Sequence, residues 1–284
     1  MTQRLPVSPG SRFFSLSPHY EGLSIMFKSA ASAARQIVDS MQKSYSAPQT
    51  LTPVSEADFP RLDLAKYQSF RTDMEVRGFR YVADLEILEL SQSTTTLLAR
   101  TMIRSMISTD GSIALGYYQI KPRIWRSVKL LATGLLNFRF IDAPRNFLDG
   151  MRTKHCIDFE TEFVDGRFLI TSNAQLAGLI SGPPTIESNY FSFGTPVSVL
   201  FDFHRKRLDE ILSSGAGIKP AALSSVSEIL QMQKRQSTQK AAYRAAVQWV
   251  TKEELQGISF GHTDLGNEVF SEVQKLLNDP RSPT

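Results

Sequence analysis

The chain has 284 residues, 42% of them hydrophobic, and 32 basic against 28 acidic residues give a net charge of +4. That length and composition exclude a wholly disordered chain and allow a substantial core, while the mixed charge disfavours nucleic acid as a partner. The most apolar stretch, Val128 to Phe140, is broken by Lys129, Thr133, Gly134, Asn137 and Arg139, so no run reaches the roughly 18 apolar residues of a membrane span.

The single cysteine, Cys156, excludes an internal disulfide, and one cysteine with four histidines offers no zinc spacing. Neither a metal nor a cofactor is expected. The opening segment MTQRLPVSPGSRFFSLSPHY lacks the apolar block of a secretory signal. The expected location is therefore cytoplasmic, with peripheral membrane attachment as a variant and an organellar transit peptide as a minor alternative.

Residues 1–60 are expected to hold a tail, an amphipathic helix and a Pro-rich linker. Leu23, Phe27, Ala30, Ala34, Ile37 and Met41 form a helical seam, with Lys28, Arg35 and Lys43 off it. A helix docked on its own domain is the plainer reading; an anionic membrane surface or a partner helix is the functional one. Residues 46–60 contain three prolines and read as linker.

Residues 61–214 are expected to form an α+β core. A helix over 62–76, stopped by Gly78, precedes strands over 81–90, 96–107 and 112–120, the last two joined at Asp110-Gly111. Residues 122–150 fit a helix to about Leu136 and then a short strand, neither strongly marked. The segment 157–173, IDFETEFVDGRFLITSN, alternates about Asp165-Gly166. A two-residue turn there pairs Phe163 with Phe168 and places Phe159, Thr161, Phe163, Phe168 and Ile170 on the core face, with Asp158, Glu160 and Glu162 on the other. A loop over 174–194 follows. Thr195-Pro196 then starts a helix to about Leu212.

Residues 215–284 are expected to be a helical extension: 222–250 as one helix or two joined near Ser237, although QMQKRQSTQK is polar all round, and 264–277 as the last. The order helix, strands, helix favours an antiparallel sheet of about five or six strands with helices on one face.

Few residues suggest chemistry. Asp158, Glu160 and Glu162 could hold a cation or supply an acid and a base, but paired charges explain them better, since Arg100 and Arg104 share a strand face matched by Asp84 and Glu86. His204 sits in an apolar arc of Val197, Leu200, Phe201, Leu208, Ile211 and Leu212, as a core histidine or a general base. His155 and Cys156, adjacent on a strand, point opposite ways and form no dyad. The basic C-terminal residues, Arg205 to Lys252, alternate with acids and read as solvated faces. Phosphate-loop, dinucleotide, hydrolase, zinc-protease and kinase motifs are absent.

The leading expectation is a non-enzymatic domain binding a small ligand or a protein partner, its pocket lined by Phe159, Phe163, Phe168, Ile170 and His204. The alternative is a hydrolase-like enzyme using His204 with Glu160 or Glu162. The third is a peripheral membrane protein attached through the helix over 23–43.

Overall fold

The computed structural model describes residues 29–88, 100–121, 153–175, 180–215, 217–258 and 263–278. The seam residues Leu23 and Phe27, the stretch 122–150 and part of the expected strand 96–107 lie outside them.

Seven strands form one sheet in chain order: β1 (Leu51–Pro53), β2 (Phe79–Ile87), β3 (Ile103–Ser108), β4 (Ala114–Ile120), β5 (Lys154–Glu162), β6 (Phe168–Ser172) and β7 (Ile186–Tyr190). All neighbours are antiparallel except β6 and β7, which run parallel. The protein is α+β, but the sheet is mixed and has seven strands rather than five or six. Both additions are edges that sequence patterning assigns to linkers. β1 is three residues of Pro-rich chain, and proline suits an edge because it has no ladder donor to offer. β7 is the polar segment IESNY, without an apolar alternation to mark it.

Helices cover both faces, not one. On the first face lie α2 (Leu64–Val76) and α3 (Val197–Ser214). Tyr67, Met74, Leu200 and Leu208 pack there on Phe79, Met106, Leu115, Ile157, Phe159, Phe163 and Leu169. Pro196 itself is the N-cap of α3, and the Thr195 hydroxyl pairs with Ser192 instead of capping. On the second face lies α4 (Val226–Ala246), a single uninterrupted helix with a Ser225/Glu228 capping box. Its Ile229 and Met232 meet Ala83, Leu85, Ile107, Ala114, Phe168, Ile170 and Ile186. The helix expected at the periphery is therefore half of the sandwich.

The chain changes face beyond the end of α3, where Phe163 bridges Pro220 and Leu223 N donates to Gly111 O at 2.9 Å. Gly111 is constrained twice: its φ is +72°, and a Cβ would lie 2.7 Å from Leu223 O.

A third cluster joins α1 (Ala30–Tyr45), α5 (Lys252–Ile258) and α6 (Thr263–Asn278), through Ala33, Ala34, Val38, Val250, Leu255, Val269 and Val273. The buried part of the α1 seam thus packs inside the protein, which leaves no support from these residues for a membrane-facing role. Among the described residues no helix is long and apolar enough to cross a membrane.

Two buried ion pairs fasten the layers. Arg104 makes two 2.9 Å bonds to Asp84, directly across the β2/β3 ladder, and a third to Glu56. The half-exposed Arg100, just before β3, pairs with Glu86 through two 2.7 Å bonds. These two pairs join the residues that the sequence matches, although Arg100 stands outside the strand expected to carry it. Beyond α4, Arg244 donates to both oxygens of Glu254 (2.8 and 2.6 Å) and to Ser181 O, while Ser181 N donates to Glu254 at 2.7 Å. That cluster spans Gln248 and Trp249, both left-handed at φ 55° and 73°, a conformation costing about 1–3 kcal/mol per non-glycine residue.

Burial acts to raise the Glu254 pKa, but hydrogen bonds from Arg244, Ser181 and Thr251 outweigh it and bring it from 4.5 down to about 2. The depressed value makes this contribution to stability full above pH 4.5 and lost as pH falls towards 2. Glu254→Gln leaves Arg244 charged and unpaired, and should cost about 3–5 kcal/mol in denaturant unfolding at neutral pH. Hydrogen exchange should rise first in α1 and α6; uniform exchange with unchanged stability would sink this assignment.

Candidate functional site

His204 lies on the first face, fully buried. Its Nδ1 is 2.9 Å from Thr171 Oγ1 and its Nε2 is 3.1 Å from Thr161 Oγ1. Both ring nitrogens are thus occupied by neutral hydroxyls, and Phe159 packs beside the ring. Burial, then the charge of Arg205, lowers its pKa from 6.5 to about 3. This is a neutral, satisfied core imidazole.

The carboxylates offered as its partners are on the other side of the sheet. The turn at Asp165-Gly166 is longer by one residue than a two-residue turn: Phe163 N bonds to Arg167 O at 2.8 Å, and only Gly166 has positive φ. This matches a three-residue loop whose last residue is a left-handed glycine. The register becomes Glu162↔Phe168, Thr161↔Leu169, Glu160↔Ile170 and Asp158↔Ser172. A one-residue shift exchanges the faces of one strand relative to the other. Phe159 and Phe163 remain with His204, but Phe168 and Ile170 move to the α4 side with Asp158, Glu160 and Glu162. The expected five-residue pocket and the expected His204–carboxylate pair are therefore both divided by the sheet.

The acidic row does not face open solvent. Arg235 of α4 grips Glu162 with bonds of 2.5 and 2.7 Å. Gln233 and Gln236 both donate to Glu160 Oε2, the latter at 3.3 Å, and Lys240 Nζ donates to Gln236 Oε1 at 2.8 Å. The polar middle of α4 is thus its docking surface.

Across the ladders run Gly116, Asp158, Ser172 and Tyr190, so the aspartate is flanked by two small residues with an aromatic one beyond. The next row is Ala114, Glu160, Ile170 and Ser188. Tyr118 stands along β4 opposite Cys156. Tyr118, Asp158, Glu160, Tyr190 and Lys240 each keep some accessible surface, yet burial is the leading cause of the shifted ionisation of every one. These side chains are crowded together and only partly exposed. Tyr45, the last residue of α1, lies within electrostatic reach of Tyr190 and of the Arg244–Glu254 pair.

Burial raises the pKa of Asp158, opposed by the Ser172 and Tyr118 hydroxyls and by Lys240. Burial also raises that of Glu160, opposed chiefly by Lys240. Lys240 is lowered by burial and supported by both carboxylates. Such a set can recognise a polar ligand or exchange protons with one. Among the described residues there is no group of three or more His, Cys, Asp and Glu side chains that could hold a metal ion.

The remaining expectations place simply. Burial pushes the Cys156 thiol up to about 12, so it is no nucleophile at neutral pH. His155 faces away from it and meets Tyr117 Oη at 2.8 Å. Lys240, Gln233, Gln236, Tyr118, Tyr190, Ser172 and Gly116 carry no motif; the one available signal was the polar block on α4 facing a strand with a matching acidic period. No family model matches the sequence, and no curated protein or solved structure matches it either.

A lowered histidine pKa means that the unfolded chain takes up its proton first. The His204 contribution to stability should therefore fall as pH drops below 6.5, down to about 3. Its imidazole NMR signals should not titrate between pH 8 and 5. Thr171→Val strands Nδ1 and should cost about 1–3 kcal/mol; a His204 signal titrating near the free value would refute the buried neutral assignment.

Proposed function

We propose that the protein is a non-enzymatic α+β ligand-binding domain and that its site is the recess between the sheet and α4, floored by Gly116, Asp158 and Ser172 and walled by Tyr118, Tyr190 and Lys240. The observation that carries this reading is the row Gly116–Asp158–Ser172: a charged side chain set between two of the smallest residues, under a helix that leaves it partly accessible. Packing serves stability best when a charge is either solvated or fully paired, and the recess does neither.

Support for binding rather than hydrolysis comes from the nucleophile and base candidates. Cys156 is held as a thiol. His204 has both nitrogens hydrogen-bonded on the opposite face.

Gly116 has room for a larger side chain, its added Cβ meeting only Ile103 Cγ2 at 3.4 Å. Gly116→Val should fold with a native circular dichroism spectrum and fill the recess. In a screen of small amines, polyols, amides and carboxylates by ligand-observed NMR, wild type should give hits that Gly116→Val loses. A bound compound present at about 100 times its Kd adds roughly 2.7 kcal/mol of stability, so the same hits should raise Tm in wild type alone. Hits indifferent to Gly116→Val, or none at all, would contradict the proposal.

A further inference from the structure

We propose that the contact between α4 and β5 is a proton-operated clasp: Asp158 takes up a proton as the pH falls, and α4 then closes more tightly on the sheet. The clasp works in the protein without ligand and does not depend on the recess being a binding site.

The three carboxylates beneath α4 are not equally served. Glu162 has both oxygens on Arg235. Glu160 Oε2 receives two glutamine amides, and Lys240 supports one of them by donating to Gln236 Oε1. Asp158 has the neutral hydroxyls of Ser172 and Tyr118, while its Oδ1 is enclosed without a hydrogen-bond partner. An enclosed carboxylate that lacks a donor carries a desolvation cost that its neutral form largely escapes. A proton needs no cavity, since it reaches the carboxyl through local opening and adds no heavy atom.

Charge decides which way the clasp works. Asp158 and Glu160 stand two residues apart on one face of β5 and share one cation, Lys240. Two like charges in a poorly solvated interface repel, and protonation of one relieves both. Glu160 has amide donors to hold its charge, so Asp158 is the one that gives way. Its neutral form keeps the same hydroxyl neighbours, which accept as readily as they donate. Lys240 is then left to Glu160 alone, which steadies the Gln236 contact that docks α4. The other ionisable groups facing Asp158 among the described residues are Cys156 of β5, Tyr118 of β4 and Tyr190 of β7, with Tyr45 of α1 beyond. Burial raises all four, so they stay uncharged from acid to neutral pH.

Burial holds Asp158 above its ordinary value of 3.8. A raised carboxyl contributes stability that is complete below 3.8 and is lost as pH rises through the folded value. His204 runs the opposite way, but on the other face of the sheet, and its share cancels when variants on this face are compared with wild type.

Carbon NMR of the Asp158 carboxyl in wild type should give a titration midpoint above 3.8, and Glu160→Gln should move that midpoint down. Amide exchange of α4, corrected for intrinsic rates, should show an opening constant that rises with pH by up to about tenfold per unit. Asp158→Asn imitates the protonated form, so at pH 8 its α4 should open less than that of wild type, with the gap narrowing towards pH 5. An Asp158 midpoint at or below 3.8, or one that Glu160→Gln leaves in place, overturns the shared-charge arrangement. An Asp158→Asn helix that opens as steeply with pH as the wild-type one, or more readily at pH 8, overturns the clasp. Should Asp158→Asn fail to fold, the wild-type carboxyl midpoint decides the matter alone.

Discussion

A single left-handed glycine determines which side chains of β6 share a face with the carboxylates of β5. With Gly166 at φ 83°, the chain between β5 and β6 turns through three residues, and Arg167 rather than Phe168 comes opposite Phe163. Because side chains alternate strictly along a strand, this offset sets Asp158, Glu160 and Glu162 beside Phe168 and Ile170. The second face then carries an apolar half, on Ala83, Ile107 and Ile170, and an ionisable half on β5. Whatever covers that face has to be apolar at one end and polar at the other.

The covering helix has that composition. Its N-terminal part supplies Ile229 and Met232 to the apolar half, and its middle supplies Gln233, Arg235, Gln236 and Lys240 to the carboxylates. A helix polar on every side cannot be held by burial of an apolar stripe. Here hydrogen bonds and one two-pronged ion pair replace the stripe. Desolvating charge costs several kcal/mol per ion, so such contacts fix position more than they add stability. Arg104 does the same between the turn at Glu56 and the β2/β3 ladder, and Arg244 between α4, α5 and Ser181. Each arginine ties together segments that are far apart in the chain or belong to different elements.

Much of the frame is legible from sequence because local chemistry and tertiary context agree there. Helix α2 with its Gly78 stop, strands β2 to β6, the Asp84–Arg104 and Glu86–Arg100 faces and the burial of His204 all follow from periodicity and capping. The edges do not. Pro53 and the polar IESNY become strands only because a neighbouring ladder offers them hydrogen bonds. The hairpin fails on one residue: Asp-Gly is compatible with a two-residue turn and with the longer bulged one, and the alternation on either side fits both equally well. That ambiguity divides the expected pocket lining between two faces. The neighbours of Asp158 are out of reach for a further reason, since Gly116, Ser172 and Tyr190 are gathered from β4, β6 and β7 by register and Lys240 is brought by the packing of α4.

His204 and Asp158, on opposite faces of the sheet, are served unequally by their neighbours. His204 is the more deeply buried and the more strongly shifted, yet each nitrogen has a threonine hydroxyl and the ring sits against Phe159; nothing about it calls for another molecule. Asp158 retains some accessible surface and is flanked by small residues, yet an oxygen is left without a donor. A fold that satisfies a histidine so fully, and that provides five guanidinium bonds to Glu162, Asp84 and Glu56, has the means to satisfy one more carboxylate. Beside Asp158 the chain has Gly116 on one strand and, on the other, Ser172, whose hydroxyl already serves the carboxylate. The other oxygen is enclosed without a partner, as is Arg104 Nη1 beside Asp84 and Glu56, so in each case a charged group anchors one side of its contact and leaves one polar atom unmatched.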